Sequence, residues 1–118
     1  MPLPTATLAQ LRTIVGADQV LTSQEDLIPY SFDGTAALNQ MPGCVAFVTT
    51  TEQVAAVLKL ANATRTPLVT RGSGTGLSGG SLPSRDCIVM CTARMNRILE
   101  IDKVGYTMTV EAGVVLKA

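Results

Sequence analysis

Five glycines stand within the nine residues from Gly72 to Gly80, interleaved with Ser73, Thr75 and Ser78 and bounded on both sides by short apolar, β-branched runs. Glycine lets backbone N–H groups turn toward a ligand with no Cβ in the way, and the hydroxyls add donors, so the run has the chemistry of an anion cradle. A plain linker requires neither alternating hydroxyls nor confinement between apolar runs. The run follows a predicted buried strand, at the carboxyl end where open α/β sheets bind ligands. Arg71 heads it, suited equally to a phosphate oxygen or to a structural ion pair.

The flanking pattern sets the fold class. Cys44-Val45-Ala46-Phe47-Val48-Thr49, behind Pro42-Gly43, reads as a strand buried on both faces. Thr50 and Gln53 form a capping-box pair, and Val54, Val57, Leu58 and Ala61 mark a helical stripe that Pro67 stops near Arg65. Leu68-Val69-Thr70 is the next strand, so a βαβ unit with parallel strands and a right-handed crossover is expected. After Pro83 and a turn at Ser84-Arg85-Asp86, Cys87-Ile88-Val89-Met90-Cys91 is strand-like. Residues 98–102 and 106–111 bracket Lys103-Val104-Gly105 as an antiparallel hairpin. Upstream, Thr7-Leu8-Ala9-Gln10 has the form of a capping box for a short helix carrying Leu8, Leu11 and Val15. A second cap is available at Ser23, and the stretch from there to Pro42 reads as largely irregular, with a turn at Asp33-Gly34. The expected class is α/β (α+β), a small parallel sheet flanked by helices plus a hairpin.

Composition narrows the function. Of 118 residues, 47% are apolar and 15% charged, which is a globular composition sized for one small domain. Nine basic and nine acidic residues leave no net field for nucleic acid or an anionic membrane. No apolar run reaches the roughly 20 residues of a membrane span, and the first residues lack the pattern of a signal peptide, so a cytoplasmic location is expected. Histidine is absent, which excludes histidine catalysis and makes Cys87 and Cys91 a poor metal site. On one strand those two cysteines would stand about 13 Å apart, too far for a disulfide, so Cys44, Cys87 and Cys91 are expected as reduced, packed thiols. Met90, Met95 and Met108 read as core fillers, and Arg85, Arg94 and Arg97 as solvated charges.

Three phosphate-binding designs compete for the glycine run. A Walker loop needs a terminal Gly-Lys-Ser/Thr, and Gly79-Gly80-Ser81 has no lysine. Gly74-Thr75-Gly76-Leu77-Ser78-Gly79 meets the Rossmann fingerprint of an NAD(P)-binding module, with Glu100 or Asp102 beyond it. That design opens a helix, whereas here Pro83 and a turn lead into the apolar run at Cys87.

The third design is carried by Pro67-Leu68-Val69-Thr70-Arg71-Gly72-Ser73-Gly74-Thr75-Gly76-Leu77-Ser78-Gly79-Gly80. It closely resembles the pyrophosphate loop of the vanillyl-alcohol oxidase (PCMH-type) FAD-binding domain, in the branch of the glycolate oxidase flavin subunit and the D-lactate and other D-2-hydroxyacid dehydrogenases. Glu25-Asp26-Leu27 through Asp33-Gly34-Thr35, Thr51-Glu52-Gln53-Val54 and Val110-Glu111-Ala112-Gly113-Val114 are also similar to family stretches. The resemblance implies FAD as cofactor, its pyrophosphate held by the loop's backbone amides, with contacts at Arg71, Gly72, Ser73, Gly74, Thr75, Gly76, Leu77 and Ser78. It implies hydride transfer from a small 2-hydroxy acid to flavin N5. Thr75 stands where some members carry the histidine of a covalent link, so FAD is expected to be noncovalent.

By the same resemblance, residues 1–42 form an N-terminal helical and irregular segment, and 43–118 an incomplete FAD-binding domain with the loop at 71–80. The second half of the cofactor site and the substrate domain are expected to follow Val114, so this chain is expected to hold no catalytic residue and, alone, to bind FAD weakly or not at all. Implied partners are the hydroxy acid and electron-acceptor subunits, with any contact to the inner membrane made through those subunits. Two other functions stay open on sequence: the nicotinamide-binding module, and a non-catalytic domain that self-associates through apolar surface.

Overall fold

The computed structural model describes residues 3–32, 40–75 and 83–115. Helix α1 (Thr5–Val15) is followed by a two-residue strand β1 (Val20–Leu21) and a one-turn helix α2 (Gln24–Leu27) that runs on as a 3-10 turn to Tyr30. Strand β2 (Cys44–Phe47), helix α3 (Thr51–Thr64), strand β3 (Leu68–Arg71) and strand β4 (Ile88–Cys91) come next. Strands β5 (Ile98–Asp102) and β6 (Thr107–Val110) complete the order. Among the described residues no helix is long and apolar enough to cross a membrane.

The first four strands form one sheet in the order β1-β2-β4-β3. β4 pairs in parallel with both β2 and β3, and β1 closes the far edge antiparallel to β2. The parallel strands around α3 are therefore present as expected, but they are not neighbours, because β4 lies between them. The physical reason is burial. All four residues of β2 and of β4 are buried, as suits strands covered on both faces, whereas β3 ends in Thr70-Arg71 and takes the edge.

Period-two alternation divides the core. Cys44, Ala46, Ile88 and Met90 face the helices, joining Leu11 and Val15 of α1 and Val57, Leu60 and Ala61 of α3. Val45, Phe47, Val89 and Cys91 face the other way, packing with Leu27 and against Tyr30, Met41 and Val69. All three cysteines are buried and unpaired. Burial pushes the Cys44 thiol up to about 12, with Cys87 adding and Arg12 opposing, and burial also raises Cys87.

The helix ends show which local signals decided the structure. The Thr50 hydroxyl accepts from the Gln53 amide at 3.1 Å, and Gln53 Oε1 accepts from the Thr49 amide at 2.7 Å. At the other end Arg65 is left-handed (φ 53°), so α3 stops where Pro67 predicts. Ser23 caps α2 through the Asp26 amide. The box expected at Thr7 and Gln10 does not form. Helix α1 starts at Thr5 behind Pro4, and Thr7 is buried inside it. Pro4 has the φ of a helix entrance already set and wins the start. The two-residue strand β1 has no signal of its own and exists by pairing with β2.

The hairpin β5–β6 is antiparallel, with an irregularity between Ile98 and Glu100. Every residue of both strands is exposed. Met90 and Met95 fill the core as expected, but Met108 does not, since it lies on this exposed hairpin at 53% accessibility. Arg94 sits over the Phe47 ring at 4.0 Å and donates to Gln19, so it is a packed cation and not a purely solvated one.

Candidate functional site

The carboxyl end of β3 is where the glycine run begins. The carbonyl of Arg71 accepts from the Thr92 amide at 2.8 Å, continuing the parallel ladder one residue beyond β4. The Arg71 side chain is itself only 7% exposed. Its guanidinium donates to the carbonyl of Pro29 at 3.3 Å and to that of Phe32, and it lies over the Tyr30 ring at 5.2 Å. Tyr30 in turn meets Phe47 edge to face at 5.8 Å. Burial, with a contribution from Cys91, raises the Tyr30 hydroxyl against the opposing pull of Arg71 and Arg94, so the ring stays neutral.

Beyond Arg71 the backbone turns back. Gly74 has φ +75°, and a Cβ there would stand 2.1 Å from Arg71 Nη2, so the turn closes only over a residue without a side chain. The Ser73 and Thr75 hydroxyls lie 3.4 Å apart. Gly72, Ser73 and Thr75 form one wall of a cavity of about 570 Å³.

The opposite wall is Ala112, Gly113, Val114 and Val115. This segment is held against the turn that follows β4. The Gly113 amide donates to the Met95 carbonyl at 2.7 Å, and a Cβ on Gly113 would stand 1.9 Å from the Thr92 carbonyl oxygen. At its foot the Glu111 carboxylate accepts from the Arg97 amide at 2.9 Å and from its guanidinium at 3.0 and 3.3 Å. These bonds hold the Glu111 carboxyl below its ordinary value. Thr92 therefore links the residue that precedes one wall to the other wall, bonded to the Arg71 carbonyl and packed on Gly113.

Among the described residues, those that line the cavity carry no charged side chain. What the cavity offers an anion is main-chain amide and hydroxyl, which is the donor set of a backbone-cradled pyrophosphate. Of the residues expected from sequence, Gly72, Ser73 and Thr75 line the cavity, Gly74 shapes it, and Arg71 stands behind it. Gly76, Leu77 and Ser78 lie outside the described residues, as does Asp33. The wall at 112–115 is missing from the expected contacts. Its only sequence signal is the Val110–Val114 stretch, and nothing in that stretch says which wall it faces. Among the described residues, 83–87 carry a turn that leads straight into the strand Ile88–Cys91, which leaves no room for the long helix that a Rossmann loop opens and counts against the nicotinamide reading.

A family model described as FAD binding domain matches residues 42–118. The glycolate oxidase subunit GlcD of Escherichia coli (strain K12) is 41% identical over 110 residues, covering 93% of this chain and 22% of that protein. D-2-hydroxyglutarate dehydrogenase of Stutzerimonas stutzeri (strain A1501) is 34% identical over 93% of this chain and 24% of its own length. Among solved structures, p-cresol methylhydroxylase with substrate bound superposes at a TM-score of 0.80 and 30% identity, over 92% of this chain and 22% of that one. The chain thus spans between a fifth and a quarter of the length of these proteins.

Proposed function

The chain belongs to the FAD binding domain family, and from that premise we propose that it is the pyrophosphate-holding part of an oxidoreductase acting on small 2-hydroxy acids. The observation that supports this reading is that Gly72, Ser73 and Thr75 line one cavity together with Ala112–Val115, with amides and hydroxyls as the polar groups among the described lining residues. In this reading the amides and hydroxyls of the glycine run hold the pyrophosphate, with Gly76, Leu77 and Ser78 expected among its contacts. When bound, FAD supplies two-electron chemistry, taken here to be acceptance of a hydride from the carbon bearing the substrate hydroxyl. The chain's own part is to bind and orient. Thr75 and the absence of histidine leave no histidyl attachment in these 118 residues, so the contacts that this chain itself makes to the cofactor are noncovalent.

The hydroxy-acid class rests on the relatives named glycolate oxidase subunit and D-2-hydroxyglutarate dehydrogenase. The full-length protein of the same reading frame, once purified, is expected to carry flavin absorbance, or to gain it on reconstitution, and to bleach when glycolate, D-lactate or D-2-hydroxyglutarate is added without oxygen. A colourless protein that takes up no FAD would reject the reading. Flavin that no hydroxy acid bleaches would reject the substrate class alone. A second reading, self-association of the chain through its exposed apolar hairpin, is tested by light scattering, and a monomer would discard it.

A further inference from the structure

The cation that heads the glycine run is not placed as a phosphate ligand. Arg71 is absent from the cavity lining, and its guanidinium is shared between the Pro29 carbonyl, the Phe32 carbonyl and the face of Tyr30. Gly74 folds directly onto it, since a Cβ at 74 would stand 2.1 Å from Nη2, 2.3 Å from Cζ and 2.7 Å from Nε. Through its own carbonyl Arg71 also receives the amide of Thr92, the residue on which the opposite wall packs. One side chain and its backbone thus join three pieces of the molecule: residues 29–32, the glycine run and the turn after β4.

We propose that Arg71 is a positioning residue, which clamps residues 72–75 of the glycine run through Pro29, Tyr30 and Phe32 and acts on the FAD pyrophosphate without touching it. The proposal rests on the reading of the cavity as an FAD site. A planar guanidinium suits the task, because its fork serves two carbonyls while its face stacks on a ring. Lysine, a point charge on a flexible stem, cannot do both. A direct phosphate contact has the opposite signature, since a lysine keeps most of the attraction and added salt weakens it.

The test is the FAD dissociation constant of the full-length wild-type protein of the same reading frame and of its variants Arg71→Ala, Arg71→Lys, Gly74→Ala, Arg71→Ala with Gly74→Ala, and Tyr30→Leu. Each is titrated by flavin fluorescence at low and high salt, with folding checked by circular dichroism. Arg71→Ala is expected to weaken FAD by about tenfold, the scale of lost charged hydrogen bonds. Arg71→Lys should rescue little of that loss. The double variant should bind better than the product of the two single effects, because removing the guanidinium opens the space that a methyl at 74 needs. The salt dependence should match wild type throughout. Rescue by lysine, or a salt dependence that flattens in Arg71→Ala, overturns the proposal and makes Arg71 a phosphate ligand. Should Arg71→Ala fail to fold, Tyr30→Leu decides. It leaves the cation in place, and a several-fold loss of affinity supports the clamp while unchanged affinity overturns it. Wild-type protein that binds no FAD overturns the FAD reading and the clamp together, whereas wild-type binding with every variant unchanged overturns the clamp alone.

Discussion

The four-stranded sheet and the β5–β6 hairpin are built from the same kinds of residue and end in opposite surroundings. In β2 and β4 every position is buried, because α1 and α3 cover one face and α2 with Tyr30 covers the other. In the hairpin, paired residues share a face, so Ile98 with Val110 and Ile101 with Met108 make an apolar side, while Glu100 with Thr109 and Asp102 with Thr107 make a polar one. That is the pattern of a sheet with one buried face, yet in this chain both faces meet solvent. An amphipathic pattern states which face a strand is able to bury. Whether it is buried depends on a neighbour.

The contrast breaks most readily at Ile88 and Ile101. Ile88 is fully buried in the helix-side core and Ile101 is 60% exposed. Ile88→Ala is expected to cost about 2–5 kcal/mol in urea unfolding, and Ile101→Ala less than about 0.5 kcal/mol. Equal losses would mean that the hairpin face is covered in solution. Gly113→Ala comes next, because its methyl meets a backbone carbonyl that no rotamer can move. About 1–3 kcal/mol is expected, together with weaker FAD binding, and an unaffected protein would show that the segment is not docked as described.

The thiols sharpen the comparison from the side of the sheet. Cys44 is raised from 9.0 to about 12, so its stabilising contribution is whole below pH 9 and declines as pH rises toward 12, where the unfolded thiol ionises first. Cys44 should resist alkylation at pH 8 in the native protein and react at once in urea. Reaction without denaturant would show that the sheet opens. The smallest effect belongs to the foot of the hairpin. The Glu111 carboxyl is lowered from 4.5 by hydrogen bonds from Arg97, so that contact is complete above pH 4.5 and fades as pH falls through the lower folded value. On acidification the NMR shifts of Thr107–Val110 should move before those of Ile88–Cys91, and Glu111→Gln should abolish the early change.

Local signals were legible wherever a short stretch could satisfy itself. The cap at Thr50, the stop before Pro67 and the hairpin around Val104 each depend on residues within a few positions of one another, and each formed. The start of α1 was misread because two adjacent signals competed and Pro4 prevailed over Thr7. Met108 was misread because its apolar side chain reads as core until one asks what lies over it. The cavity's second wall was hidden for a similar reason. Gly113 matters because it meets Thr92 and Met95 from a distance of many residues, and no local pattern encodes that approach.

By itself the sequence determined the chemistry on offer at the glycine run, since glycine, serine and threonine in alternation leave amides and hydroxyls as the donors and the absence of histidine removes a histidyl link. It also set the strand and helix periods, because those follow from backbone geometry. The tertiary structure alone decided that β4 lies between β2 and β3, that Ala112–Val115 face the glycine run, and that Arg71 turns to Pro29, Tyr30 and Phe32. Each of these is a contact between residues far apart in the chain, chosen by which surfaces can be covered together. A guanidinium that cannot remain buried without acceptors is settled by the carbonyls it finds there.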